Sequence, residues 1–99
     1  MNTKQENPRY IEMSFDILDI PDLPVGYKFI LGLIEQDCRD NGICVRTLKN
    51  IAEILRIVPL TVTKGIRKLE KGGYIEIIEG KSEKNRPQYS YKVIKRINE

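Results

Sequence analysis

Thr61, Thr63, Lys64, Arg67, Lys68 and Lys71 fall within a single short stretch of the chain, and a second set of cations, Lys81, Lys84 and Arg86, follows soon after. Ammonium and guanidinium groups at this density, interleaved with hydroxyls, suit the binding of a polyanion. The groups needed for catalysis are missing by comparison. Histidine is absent, which removes the commonest general acid/base and the commonest metal ligand. There is no phosphate-binding glycine loop and no nucleophile motif, and the carboxylates are scattered, so no enzymatic activity and no cofactor are expected. Cys38 and Cys44 are too few and too close for a zinc ribbon or a disulfide framework and read as buried thiols in a reducing cytoplasm. Glu35, Asp37 and Asp40 fall on a helix end and a turn that lacks an ordered ligand loop, so they read as solvated carboxylates and no metal is expected.

The charge is segregated along the chain. Residues 1–40 carry four Lys/Arg against eight Asp/Glu, a balance of −4, whereas residues 41–99 carry thirteen against six, a balance of +7. The sum is the net charge of +3. Ninety-nine residues, 40% hydrophobic and 31% charged, make one domain with one modest core. Residues 1–9 read as a disordered arm and residues 10–97 as the domain. The polar opening MNTKQENPR does not read as a signal peptide, and no apolar run reaches the roughly eighteen residues of a membrane span.

The elements that must position the cations follow from hydrophobic spacing. Ile11, Met13, Phe15 and Ile17 alternate with polar residues, which fits an extended segment, while Ser14 could instead cap a short helical turn from Ser14 to Ile20. A helix is expected from about Pro24 to Cys38, with Asp22 as its cap and Tyr27, Ile30, Leu31, Ile34 and Cys38 on its inner face. Asp40, Asn41 and Gly42 end it, and Ile43 to Arg46 reads as a brief strand. Thr47 then caps a helix from Leu48 to Leu55, with Leu48, Ile51, Ala52 and Leu55 inward. A further helix runs from Pro59 to Lys71, with Val62, Ile66 and Leu69 inward and Gly72-Gly73 as its stop. Tyr74 to Glu79 and Gln88 to Ile94 alternate as strands joined by GKSEKNRP into a hairpin, with Tyr89 and Tyr91 on one face as packing residues.

From Ile51 to Ile75 the chain reads IAEILRIVPLTVTKGIRKLEKGGYI, which resembles the pattern LAxxLGVSxxTVxRALxxLExxGLI of winged helix-turn-helix DNA-binding domains of bacterial, phage or plasmid type, MarR-like regulators among them. Ile51-Ala52, Thr61-Val62, Lys64, Gly65-Ile66, Leu69-Glu70 and Gly73-Tyr74-Ile75 match its positions, and the template extends from Cys44 to Val93. Upstream, IEMSFDILDIPDLPVGYKFILGLI is similar to the opening of helix-turn-helix domains in phage and plasmid replication proteins. Three residues depart from the pattern. Arg56 replaces the turn glycine, Val58 replaces the capping serine, and Leu60 stands where polar or basic residues are common. Loss of the serine cap costs about 1 kcal/mol unless another group meets the free amides.

The resemblance implies an α+β winged helix-turn-helix, a three-helix core with a C-terminal β-hairpin wing. It implies binding of double-stranded DNA by a small transcriptional regulator or by the DNA-binding domain of a replication protein. Lys64 and Arg67 then reach base edges, Leu60 meets a thymine methyl, and Thr61 and Thr63 bond bases or phosphates. Lys68 and Lys71 meet phosphate, and Lys81, Lys84 and Arg86 grip backbone or an adjacent minor groove. A homodimer on two half-sites is expected, with the first helix or the arm as its contact. The alternative is a winged-helix protein-interaction module anchored by Val58 and Leu60, two apolar residues that either pack on the N-terminal segment or cover a partner.

Overall fold

The computed structural model describes residues 7–81 and 87–94, and among these the chain is α+β, four helices followed by one antiparallel pair of strands. The choice left open at Ser14 resolves in favour of a turn. The Ser14 hydroxyl accepts from the Ile17 amide at 3.2 Å and starts α1, Phe15–Leu18, which drops Ile17 into the core. The preceding residues form no regular element and lie against α2, Val25–Asn41. Gln36 pins them there: its Nε2 donates to the Tyr10 carbonyl at 3.2 Å, and its Oε1 accepts from the Glu12 amide at 2.8 Å. Arg39 adds an ion pair to Glu12 at 3.4 Å.

Helix α2 is buried on more faces than a single inner stripe provides. Ile30, Leu31, Gly32, Leu33 and Ile34 are all buried in succession. Gly32 lies under the Met13 side chain, which a Cβ at that position would meet at 2.9 Å. The expected cap, Asp22, does not cap this helix. It takes a left-handed conformation with φ 61°, and Pro24 is the N-cap with no side-chain bond, because the link from α1 must first fold Ile20 and Leu23 inward. Gly42, at φ 82°, closes the helix by donating its amide to the Cys38 carbonyl at 2.7 Å.

The strand expected over Ile43 to Arg46 is reduced to one rung. Cys44 exchanges two backbone bonds of 2.9 Å with Tyr91 and no more, since the Gly42 cap on one side and the Thr47 cap on the other leave no length for a ladder. Thr47 accepts from the Asn50 amide at 3.0 Å and opens α3, Leu48–Leu55, which buries Ile51 and Ala52. Arg56 ends α3 at φ 58°, the left-handed conformation usual for glycine. The turn leads into α4, Pro59–Lys71. Gly72 is right-handed, and the reversal falls on Gly73 at φ 81°.

Strands β1, Ile75–Lys81, and β2, Pro87–Val93, pair antiparallel with Ile75 opposite Val93, Ile77 opposite Tyr91 and Glu79 opposite Tyr89. The core joins Ile17, Ile30, Leu33, Ile34, Cys44, Ile51, Val62, Leu69, Ile75 and Tyr91. Among the described residues, no helix is long and apolar enough to cross a membrane. Of the arm assigned to residues 1–9, residues 1–6 lie outside the described residues. Asn7 is held, its side-chain oxygen accepting from Arg46 at 3.3 Å and from Asn50 at 3.0 Å.

Candidate nucleic-acid interface

The presentation of cations by α4 depends on how its inner face is set into the body. Val62 and Leu69 are fully buried, Ile66 nearly so, and Gly65 lies between them against α2. A Cβ on Gly65 would stand 2.5 Å from Ile30 Cδ1 and 2.9 Å from Tyr27 Cδ1, so this glycine is what admits α4 so close to α2. With the inner face fixed, helical periodicity puts Leu60, Lys64, Arg67 and Lys71 (i, i+4, i+7, i+11) in one outward row about 16 Å long. All four are exposed, as is Lys68 on one flank. Thr61 and Thr63 are half-buried on the two flanks.

Among the described residues the ion pairs are Arg39–Glu12 and Arg46–Asp37, so none of the α4 cations is neutralised by a carboxylate. The Thr63 hydroxyl donates back to the Pro59 carbonyl at 3.2 Å, which leaves its oxygen able only to accept from a ligand. At the helix start, Val58 supplies no side-chain bond. The missing cap is partly offset, because Pro59 has no amide hydrogen and the Thr61 amide bonds back to the Val58 carbonyl at 3.0 Å. Val58 and Leu60 are both 62% exposed, so the described N-terminal residues do not cover them. Of the cations assigned to the hairpin, Lys81 ends β1 in register with Pro87, and Lys84 and Arg86 lie outside the described residues.

Two clefts flank α4. One, of about 490 Å³, lies between Arg67, Lys68, Lys71 and Tyr74 on one side and the Ile20–Leu23 link on the other. The second, of about 620 Å³, separates α4 from the hairpin and is lined by Thr63, Arg67 and Glu70 opposite Ile77, Glu79 and Tyr89. Glu79 was not among the residues singled out from the sequence, although the strand alternation puts it in phase with Ile75 and Ile77 on the inward face. Tyr91, on that face, is buried as expected, whereas Tyr89 remains 46% exposed at the cleft.

Asp37 is the clearest departure from the sequence reading. It is a buried carboxylate rather than a solvated one, bonded by Arg46 Nε at 2.6 Å and Nη2 at 3.0 Å. The Arg46 Nη1 continues the network to Asn50 Oδ1 at 2.9 Å. The partners come from α2, the loop after it and α3, so sequence spacing offers no signal for their meeting. Cys38 and Cys44 are free thiols, and the Cys38 thiol donates to the Tyr91 carbonyl at 3.5 Å. Burial, with Asp37 nearby, holds both thiols above their ordinary pKa, and burial pushes the Tyr91 phenol up to about 12. These groups stay protonated at neutral pH, which disfavours thiolate chemistry.

No family model, curated protein or solved structure matches the chain.

Proposed function

We propose that the chain is a winged helix-turn-helix protein that binds double-stranded DNA sequence-specifically, as a small transcriptional regulator or as the DNA-binding domain of a phage or plasmid replication protein. The observation that carries this reading is the row Leu60, Lys64, Arg67 and Lys71, exposed along one side of α4 and free of carboxylate partners among the described residues. The α3–turn–α4 arrangement followed by an antiparallel hairpin supports it. An α-helix fits the major groove, where the planar fork of Arg67 suits guanine O6 and N7 and Leu60 suits a thymine methyl. Lys64 reaches a base edge beside them. Thr63, restricted to accepting, pairs with the amino group of cytosine or adenine, and Lys68 and Lys71 meet phosphate. Lys81, Lys84 and Arg86 add hairpin contacts to the backbone. A homodimer reads two half-sites, joined through the N-terminal segment or the helices before Gly42, where Phe15 and Val25 are exposed.

The test is binding to a labelled random duplex pool across a salt series. With about five cations neutralising phosphates, log K falls against log salt with a slope of roughly −4 to −5. Binding that ignores salt, or is absent at low salt, rejects the proposal. The exposure of Val58 and Leu60 favours a second reading, a protein-interaction module anchored by these two residues. Under that reading Leu60→Asp abolishes binding to a protein partner, and no duplex binding is seen with either variant or parent.

A further inference from the structure

We propose that the cleft between α4 and the hairpin binds a guanine base, carried by a free nucleotide or by an unpaired position in a nucleic acid. The cleft, at about 620 Å³, falls within the range of small-ligand sites, roughly 300–1,000 Å³. Its floor is apolar, with Ile66 and Ile77 beside the buried Tyr91 ring. Its rim holds an exposed tyrosine, Tyr89, directly across the strands from Glu79, and Arg67 and Glu70 face them from α4. Among the described residues, none of these three charged groups has an ion-pair partner.

That mixture excludes most simple ligands. A phosphate or carboxylate deep in the cleft meets Glu70 and Glu79, and an ammonium or guanidinium meets Arg67. A wholly apolar ligand strips water from three charges and returns no bonds. Guanine satisfies Arg67 and Glu79 with one planar ring, while Glu70, exposed at the rim, keeps its water. Its O6 and N7 accept from the Arg67 guanidinium, its N1–H and N2–H₂ donate to a carboxylate, and its face stacks on Tyr89. Adenine offers an amino donor where guanine has O6, which opposes the guanidinium. Cytosine offers the carboxylate only one donor group and a smaller ring. Because pairing in a duplex occupies N1–H, the base in this cleft is unpaired, and the cleft shares Arg67 alone with the outward row of α4.

The experiment titrates the full chain by calorimetry with GMP, AMP and CMP in one arm. A second arm uses a single-stranded oligo-dT carrying one dG, against oligo-dT alone. GMP is expected to bind at least about tenfold more tightly than AMP or CMP, and Glu79→Gln and Tyr89→Ala each to weaken it by about tenfold. Both residues are exposed, and an unchanged thermal midpoint verifies that the variants fold. Glu76→Gln, at an exposed position of β1 outside the cleft lining, leaves GMP binding unchanged. A guanine preference confined to the oligonucleotide arm assigns the base to a nucleic acid, whereas preference in the GMP arm assigns it to a nucleotide. The absence of guanine preference in both arms, or full affinity in Glu79→Gln and Tyr89→Ala, overturns the proposal. Neither arm contains duplex, so the outcome is independent of the duplex-binding test.

Discussion

Removing the Asp37 carboxylate tests whether the buried charge network holds the first part of the chain to α3. In Asp37→Ala the Arg46 side chain, 2% exposed in the folded protein, loses bonds of 2.6 and 3.0 Å together with its countercharge. It keeps the Nη1 bonds to Asn50 and Asn7. Breaking a buried pair from one side costs about 3–5 kcal/mol, a large share of the about 5–15 kcal/mol available to a chain of this size. At about 4–8 °C per kcal/mol the midpoint falls by about 12–40 °C. Thermal and urea unfolding followed by circular dichroism measure the loss, which should move the urea midpoint without changing its slope. The double variant Asp37→Leu with Arg46→Met replaces both charges by apolar groups and returns to within about 1 kcal/mol of the parent, or exceeds it. A loss below about 1 kcal/mol in Asp37→Ala, or a double variant no better than the single one, refutes the view that this pair is a desolvated lock.

Three further outcomes follow from the same packing. Gly65→Ala gains about 1 kcal/mol in helix propensity but drives a methyl into Ile30 and Tyr27, so denaturation should show a net loss of about 1–2 kcal/mol. Adding Ile30→Val, which removes the Cδ1 atom 2.5 Å away, should recover part of that loss in a double-mutant cycle. Arg56→Gly relieves a left-handed arginine at φ 58° and should raise stability by about 0.5–1 kcal/mol, measured as a higher urea midpoint. At alkaline pH, Cys38, Cys44 and Tyr91 keep their protons in the folded state to higher pH than in the unfolded chain, so the unfolded state releases protons first. Their contribution is complete below about pH 9, the ordinary thiol value, and declines as the pH rises above it. Unfolding free energies measured from pH 8 to 11 should fall less steeply in Cys44→Ala than in the parent.

Local signals carried α3 and α4 well. Thr47 before an apolar run and proline at Pro59 act within one helical turn, and both helices begin where these residues say. The outward row of cations follows from the same periodicity once Val62, Ile66 and Leu69 turn inward. What spacing could not reveal depends on partners distant along the chain. The folding of the N-terminal residues over α2 rests on Gln36, on the Arg39–Glu12 pair and on a space left by Gly32, so the inner stripe inferred for α2 was too narrow. Asp37 and Arg46 each look like surface charges in isolation, and only their meeting makes them interior. The hairpin cleft was hidden for a different reason: Glu79 is a polar residue at an inward strand position, a break in alternation that reads as an irregular end until α4 is placed opposite.

The hairpin is rooted at one end. Ile75 and Tyr91 are buried, the Ile94 amide bonds back to the Tyr74 carbonyl, and Cys44 ties Tyr91 to the loop after α2. Beyond the Ile77–Tyr91 pair the register continues through Lys81 opposite Pro87, an overhang of about 13 Å. It therefore has the geometry of a lever with its fulcrum at Tyr91, and a tilt of about 10° there would swing the far pair by about 2 Å. The far pair would take all of that travel, while Glu79 and Tyr89, midway along the overhang, would take about half of it.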